Sequence, residues 1–182
     1  RRAGWDRRTS DRASRYLAIS QYVARRIGLY YNRQSAIVYP PVDTEAFTPG
    51  GPDRRGALVI VSALVPYKRL ELAIAAAHAA ELPLDIIGDG PERAHLEALA
   101  AGAPGVRLLG RLDDDAVRAH YRTATAVLLP GEEDFGLVPV EAQACGRPVV
   151  ALGRGGATET VIDGETGLLV PDDTVTSWAA AL

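Results

Sequence analysis

Methionine is absent from this 182-residue chain, cysteine occurs once, and phenylalanine and tryptophan occur twice each. The single Cys145 cannot form an intrachain disulfide, and no His/Cys group has the spacing of a zinc site. A disulfide scaffold and a zinc module are thereby excluded, and a reducing, cytoplasmic compartment fits. Long hydrophobic runs are missing too. The alanine-rich stretch from Ala73 to Ala80 is interrupted by His78 and falls well short of the roughly 20 apolar residues that a membrane-spanning helix needs. Neither sign of charge is in large excess: 20 Lys and Arg stand against 23 Asp and Glu, a net charge of −3. That balance argues against nucleic acid as a partner, so any phosphate bound belongs to a small molecule. Trp5, Trp178 and the tyrosines show no stacking pattern for single strands either. The amino end, "RRAGWDRRTSDRASR", is basic but lacks the apolar core of a signal peptide. With no initiating methionine, the sequence reads as a piece of a longer protein.

What is present is ordinary globular composition, 47% hydrophobic and 24% charged. From Ala57 onward short apolar, β-branched runs alternate with amphipathic or alanine-rich stretches, the pattern of parallel βα units. The expected strands are "ALVIVSA" (57–63), "LDIIG" (84–88), "VRLLG" (106–110), "AVLLP" (126–130), "RPVVAL" (147–152) and "GLLVP" (167–171), each read as buried on both faces. Helices are expected at about 69–80, 91–101, 113–122, 137–145, 156–162 and 174 to the end. This predicts an α/β fold: a Rossmann-like, doubly wound parallel sheet of about six strands, with its ligand crevice at the carboxyl ends of the strands. The first 50 residues read differently. A short strand "RYLAIS" (15–20), a helix from Gln21 to Tyr31 and a strand "SAIVYP" (35–40) lead into "PVDTEAFTPGGPD", a linker by composition. A boundary near residue 50 follows, dividing residues 1–50 from 51–182.

The stretch "GEEDFGLVPVEAQACGRPVV" (131–150) carries the chemistry of most interest. Glu133 follows a strand end, Pro139 fits only the first turn of a helix, and Glu141 then lies two residues inside that helix. Gly136 allows close approach to the backbone, and the N–H groups of Phe135, Gly136 and Leu137 form an anion site at a partial positive pole. Acidic residues in a first turn are favoured by the helix dipole alone, so either glutamate taken singly is as readily structural. The pair around a glycine suits recognition of a polyol joined to a phosphate. Lys68, in "VSALVPYKRLELAI", stands at the start of a helix, where the dipole disfavours a cation unless an anion is near. In "IGDGPERAHLE" (87–97) backbone again meets the crevice, although Gly-Asp-Gly-Pro is also good turn chemistry. His78, His95 and His120 fall at helical surface positions, Asp113 to Asp115 read as a cap, and Cys145 reads as a small packed residue.

Taken together, Glu133 and Glu141 with seven residues between them, "SALVPYKRLELAI", "GDGPE" and "ACGRPVVALGRGGATETVIDGETGLLV" resemble the carboxyl-terminal half of retaining GT-B glycosyltransferases of the large group 1 family (family 4). The resemblance runs from about Gly56 to the end. It implies a nucleotide-sugar-binding domain in which Glu133 contacts donor-sugar hydroxyls, Glu141 the ribose hydroxyls and Lys68 the diphosphate. The amides of Phe135, Gly136 and Leu137 would hold sugar and phosphate, and the loop with Arg111 and Leu112 would lie near the base. Glu133 and Lys68 would be the catalytic pair. No metal and no cofactor is expected, the nucleotide sugar being a substrate. Residues 1–50 would be the closing segment of the acceptor domain and its linker. Most of that domain, which would hold a glycan or lipid-linked acceptor, would lie outside this sequence, so the chain alone would bind and not transfer. Details such as "SALVPYKR" and "YPPVD" look most like members that use GDP-mannose in polysaccharide or lipid-linked glycan synthesis, with UDP-sugars open; the parent would be cytoplasmic and could sit peripherally at a membrane. Two departures are visible. Many members carry an arginine at the position of Ala63, and the commonest motif has its proline one residue before Pro139. A non-catalytic nucleotide-sugar-binding module on the same fold is the alternative, and a sheet domain for another ligand a third reading.

Overall fold

The computed structural model describes residues 8–51 and 56–182. Trp5, the first residues of the basic amino end, and Pro52 and Asp53 of the expected linker lie outside the described residues. The chain opens with β1 (Tyr16–Ala18), α1 (Gln21–Tyr31) and β2 (Ser35–Ile37). There follow β3 (Leu58–Val61), α2 (Leu70–Ala79), β4 (Leu84–Ile87), α3 (Arg93–Ala101), β5 (Val106–Gly110), α4 (Asp114–Thr123) and β6 (Val127–Leu129). The last elements are α5 (Leu137–Ala144), β7 (Val149–Leu152), α6 (Ala157–Thr160), β8 (Gly167–Val170) and α7 (Val175–Ala181). Each of the six expected strands is present, with its flanking glycine or proline mostly outside the ladder.

These six form one parallel sheet in the order β5-β4-β3-β6-β7-β8. Alternation along the strands divides the core into two layers. Leu58, Ile60, Leu84, Ile86, Leu128 and Val150 turn to one face, where α2, α3 and α7 cover them with Leu70, Leu96 and Trp178 among others. Val59, Ile87, Val127, Leu129 and Val149 turn to the other, against Tyr121, Ala142, Cys145 and Ala157 from α4, α5 and α6. Helices thus cover both faces, which is why the strands read as near-continuous apolar runs. Asp85 is the polar exception. Its buried carboxylate on β4 accepts from Nε and Nη2 of Arg107 on β5, at 2.7 and 2.8 Å, from the residue opposite it in the ladder.

The amino-terminal segment builds a separate, two-stranded parallel sheet from β1 and β2, joined by α1. It leaves Leu17 and Val38 largely exposed, at 67% and 57%. The segment expected to be a linker contains no helix or strand over residues 41–51. It is not a loose tether, however. Arg122 on α4 donates to the carbonyls of Ala46 and Thr48 and to the Thr48 hydroxyl, and Arg147 donates to the carbonyl of Gly51.

Gly88, just past β4, has φ +138°, and a Cβ there would stand 1.8 Å from the carbonyl oxygen of Ser62 beyond β3. Both the backbone angle and the backbone contact require glycine. Gly88→Ala should destabilise the chain by about 3 kcal/mol or more, read as a lowered urea midpoint; an unchanged midpoint would contradict the packing of these two strand ends.

Candidate functional site

The order of strands reverses between β3 and β6. The chain leaves β3 through α2 on one face and leaves β6 through α5 on the other, so the loops diverge and open a crevice at the carboxyl edge. The loop after β3 tightens into a single 3₁₀ turn, Pro66–Lys68, opened by proline and closed by Arg69 in the left-handed conformation (φ 54°). Lys68 therefore precedes the helix and does not sit at its start, which corrects the expectation of a dipole conflict. Its ammonium lies over the Tyr67 ring, 5.1 Å from the centroid, and pairs with the carboxylate of Glu133 across 65 residues of sequence. Both side chains of that pair are mostly shielded from solvent. Arg69 faces away, bonded to Glu71 and Asp173 at 2.8 and 2.7 Å.

The loop after β6 ends at Gly136, whose φ of 85° favours glycine and which precedes α5 as its cap. Pro139 is the third helical residue, in the first turn as expected. Because the helix begins at Leu137, Glu141 is its fifth residue, deeper than the two residues inside that the proline alone suggests. The Tyr121 hydroxyl donates to Glu141 Oε2 at 3.1 Å. Burial pushes the Glu141 carboxyl above its ordinary value, the Tyr121 bond opposes this, and the charge of Asp114 adds to it. The Tyr121 phenol is raised as well, by burial first and by Glu141 second.

A cleft of about 440 Å³ opens at the ends of β3, β4 and β5. Four of the residues singled out in the sequence meet in its wall: Arg111, Leu112, Leu137 and Glu141. Ala63, Gly88 and Asp89 join them, so the Gly-Asp-Gly turn does face the crevice. Lys68, Glu133, Phe135 and Gly136 do not line this cleft. Glu133 instead lines a second opening with Glu132 and Asp134. Phe135 is buried, its ring 5.8 Å from that of Tyr39.

The loop carrying Glu133 is held from the amino-terminal segment. Ser20 caps α1 by accepting from the Val23 N–H, and its hydroxyl donates to the Asp134 carbonyl. Tyr22 bonds Glu132, and Arg26 pairs with Asp134. Glu159 on α6 accepts from the N–H groups of Gln21 and Tyr22 at 2.7 and 2.8 Å, supplying the carboxylate that the first turn of α1 lacks.

Residues 55–182 match the profile of a family described as "Glycosyl transferases group 1". The chain belongs to the group 1 glycosyltransferases. D-inositol 3-phosphate glycosyltransferase of Kribbella flavida is 38% identical over 206 residues, an alignment covering 94% of this chain and 48% of that protein. The protein of the same name from Mycobacterium sp. (strain KMS) is 35% identical, with 98% and 46% covered. Among solved structures, sucrose-phosphate synthase from Thermosynechococcus elongatus superposes with a TM-score of 0.87 at 26% identity, covering 99% of this chain and 51% of that one. Anabaena Alr3699/HepE in complex with UDP-glucose gives 0.79 at 25% identity, covering 92% and 52%. The chain spans about half the length of the curated relatives it matches, and its six-stranded unit is the Rossmann-like domain of GT-B glycosyltransferases.

In this group 1 glycosyltransferase chain, two residues of the cleft escape a reading of the sequence. Phe47 reaches the cleft from the supposed linker, and Asp114 lines it although the helix cap accounts for its run of aspartates: Asp113 accepts from the Ala116 N–H at 2.8 Å. Neither has a local signal. Glu141 invites a direct test. A carboxyl raised by burial contributes its full share of stability below the ordinary value of 4.5 and loses it as pH rises through the folded value. Glu141→Gln should therefore melt a few degrees higher than the parent chain at neutral pH, and the gap should close as the pH falls toward 4.5. Equal melting temperatures at pH 7 would refute the burial argument.

Proposed function

We propose that the chain is the donor-binding half of a retaining hexosyltransferase that uses a nucleoside diphosphate sugar, with residues 1–50 closing the acceptor domain and residues 51–182 binding the donor. The observation that carries this reading is the meeting, at the switch point of a group 1 sheet, of a cleft walled by Glu141 and Arg111 with an ion pair, Lys68 and Glu133, drawn from the two flanking loops. In this reading Glu141 accepts from the ribose hydroxyls, and Arg111 and Leu112 lie at the base. The amides of Phe135, Gly136 and Leu137 meet sugar and phosphate, and Glu133 takes donor-sugar hydroxyls. A diphosphate competes with Glu133 for Lys68. As the bond from the anomeric carbon to the diphosphate breaks, that cation stabilises the charge growing on the leaving group, and no metal or further cofactor is required.

The exposed Leu17 and Val38 support the division at residue 50, since parallel strands are ordinarily covered on both faces. The remainder of a longer parent would bind the glycan or lipid-linked acceptor. No helix among the described residues is long and apolar enough to cross a membrane, which fits the proposed cytoplasmic site with peripheral membrane association of the parent. The motif details favour GDP-mannose. A UDP-hexose is the second reading for the donor, favoured by the solved Anabaena relative with UDP-glucose. A non-catalytic module on the same fold is the alternative to the enzyme, Ala63 in the cleft wall being the feature in its favour, and the parent's turnover decides between them.

Calorimetric titration with GDP, UDP and their hexose conjugates tests the site. Glu141→Ala should weaken nucleotide binding by ~10–100-fold, the worth of hydrogen bonds to a charged group, and Lys68→Ala should weaken it as well. Glu133→Ala should leave nucleoside diphosphate affinity equal or tighter, because Lys68 is released, while erasing any preference for the hexose conjugate. Unchanged affinity in both the Glu141 and Lys68 variants would sink the assignment. Binding without transfer or donor hydrolysis by the full-length parent would favour the module.

A further inference from the structure

Tyr121 stands where packing alone would accept phenylalanine. Its side chain is fully buried, in the apolar layer with Val59, Val127, Ala142 and Cys145. A buried phenol oxygen costs desolvation unless it is bonded. The bond it makes among the described residues is the 3.1 Å contact to Glu141 Oε2. An ionised carboxylate only accepts, so the tyrosine donates and its single proton is committed to that oxygen. Asp114, Val117 and Tyr121 follow at helical spacing along one side of α4. The first two line the cleft with Glu141, whereas Tyr121 does not reach its wall. A ligand in the cleft therefore meets Glu141 and not the hydroxyl behind it.

Two features give that bond a fixed direction. The ring is held from the side by Phe47, 6.2 Å away, which itself lies under the Arg118 guanidinium at 5.7 Å. The donor comes from α4 and the acceptor from α5, so a side chain of one helix is oriented from the other. With Oε2 engaged, no described residue donates to Oε1, which is left to a ligand. A hydrogen bond to the charged form also favours that form, so Tyr121 opposes the rise that burial and then Asp114 impose on Glu141. Of the other ionisable groups nearby, Asp89 and Arg111 share the cleft wall, and Cys145 follows on from α5 with its thiol pushed up by burial.

We propose that Tyr121 is a positioning residue for the donor nucleotide: without touching the ligand, its hydroxyl aims the Glu141 carboxylate so that Oε1 accepts from the ribose hydroxyls. The proposal rests on the reading of this cleft as the nucleotide-sugar site. Calorimetric titration with GDP-mannose and UDP-glucose, whose diphosphates keep their charge from neutrality down to about pH 4.5, tests it. Tyr121→Phe should weaken whichever sugar nucleotide the unaltered chain binds by about three- to tenfold at neutral pH, roughly the worth of a hydrogen bond to a charged group. As pH falls, affinity should be lost at a higher pH in Tyr121→Phe than in the unaltered chain, because Glu141 without its donor takes up a proton sooner. In a Glu141→Ala background the same substitution should change affinity by less than about twofold, since its route to the ligand is gone. Equal affinities of the unaltered and Tyr121→Phe chains, or an equal loss in both backgrounds, would overturn the proposal. So would a Tyr121→Phe chain that circular dichroism shows to be unfolded, by assigning the hydroxyl to stability. Failure of both sugar nucleotides to bind the unaltered chain would refute the reading of the cleft and, with it, the ligand named here. The hold of Tyr121 on Glu141 is judged separately by carbon-13 NMR of the Glu141 carboxyl without ligand. Its titration midpoint should lie higher in Tyr121→Phe, and coincident midpoints would overturn that hold.

Discussion

The reversal of strand order between β3 and β6 is the constraint on which the remaining features depend. Two loops that would otherwise run together are driven apart by helices on opposite faces, and the edge between them cannot be covered by a crossover. Three of the polar groups singled out in the sequence hang from that edge. Lys68 follows one flanking strand, Glu133 and Glu141 follow the other, and the ion pair between Lys68 and Glu133 bridges the gap. A largely shielded pair of this kind is poor evidence of stability, since desolvation offsets much of its attraction. It fits better as a held arrangement of two groups whose task lies elsewhere.

The hold comes largely from outside the six-stranded unit. Around Glu133, the neighbouring Glu132, Asp134 and Phe135 each touch the amino-terminal segment, through Tyr22, through Ser20 and Arg26, and through Tyr39 respectively. The backbone of Glu133 itself is fixed from α6, where the Gly156 N–H donates to its carbonyl at 2.7 Å. Geometry at a reacting centre depends on such supporting contacts as much as on the groups that act. The segment's short helix in turn owes its N-terminal partner to Glu159, 138 residues away.

Much of this was legible in the sequence, for local reasons. Strands covered on both faces give unbroken apolar runs, so β4 and β7 announce themselves, and proline with glycine marks where α5 must begin. The paired glutamates stood out because helix capping explains only one of them. What escaped is non-local. The partner of Lys68 lies 65 residues away, and a dipole argument supplied a helix start where the backbone makes a separate turn. Helix spacing aligns Tyr22, Arg26 and Tyr30, yet nothing in that row says which loop it will face. Phe47 sits among prolines, glycines and acids whose composition speaks of a tether, while a single aromatic ring packed 6.2 Å from Tyr121 anchors the stretch.

The clasp of Arg122 on Ala46 and Thr48 bears on how the amino-terminal segment could swing against the sheet. Ala46 and Thr48 are thereby bonded to α4. Just before them, the Asp43 side chain accepts from the N–H groups of Glu45 and Ala46, which locks a turn. Before that, Pro40 and Pro41 have φ fixed by their rings. Rotation is left to ψ of the two prolines and to Val42, a pivot only a few residues long. Ser20, Tyr22 and Arg26 all precede this pivot, so any turn about it would act on their three contacts with the Glu133 loop at once.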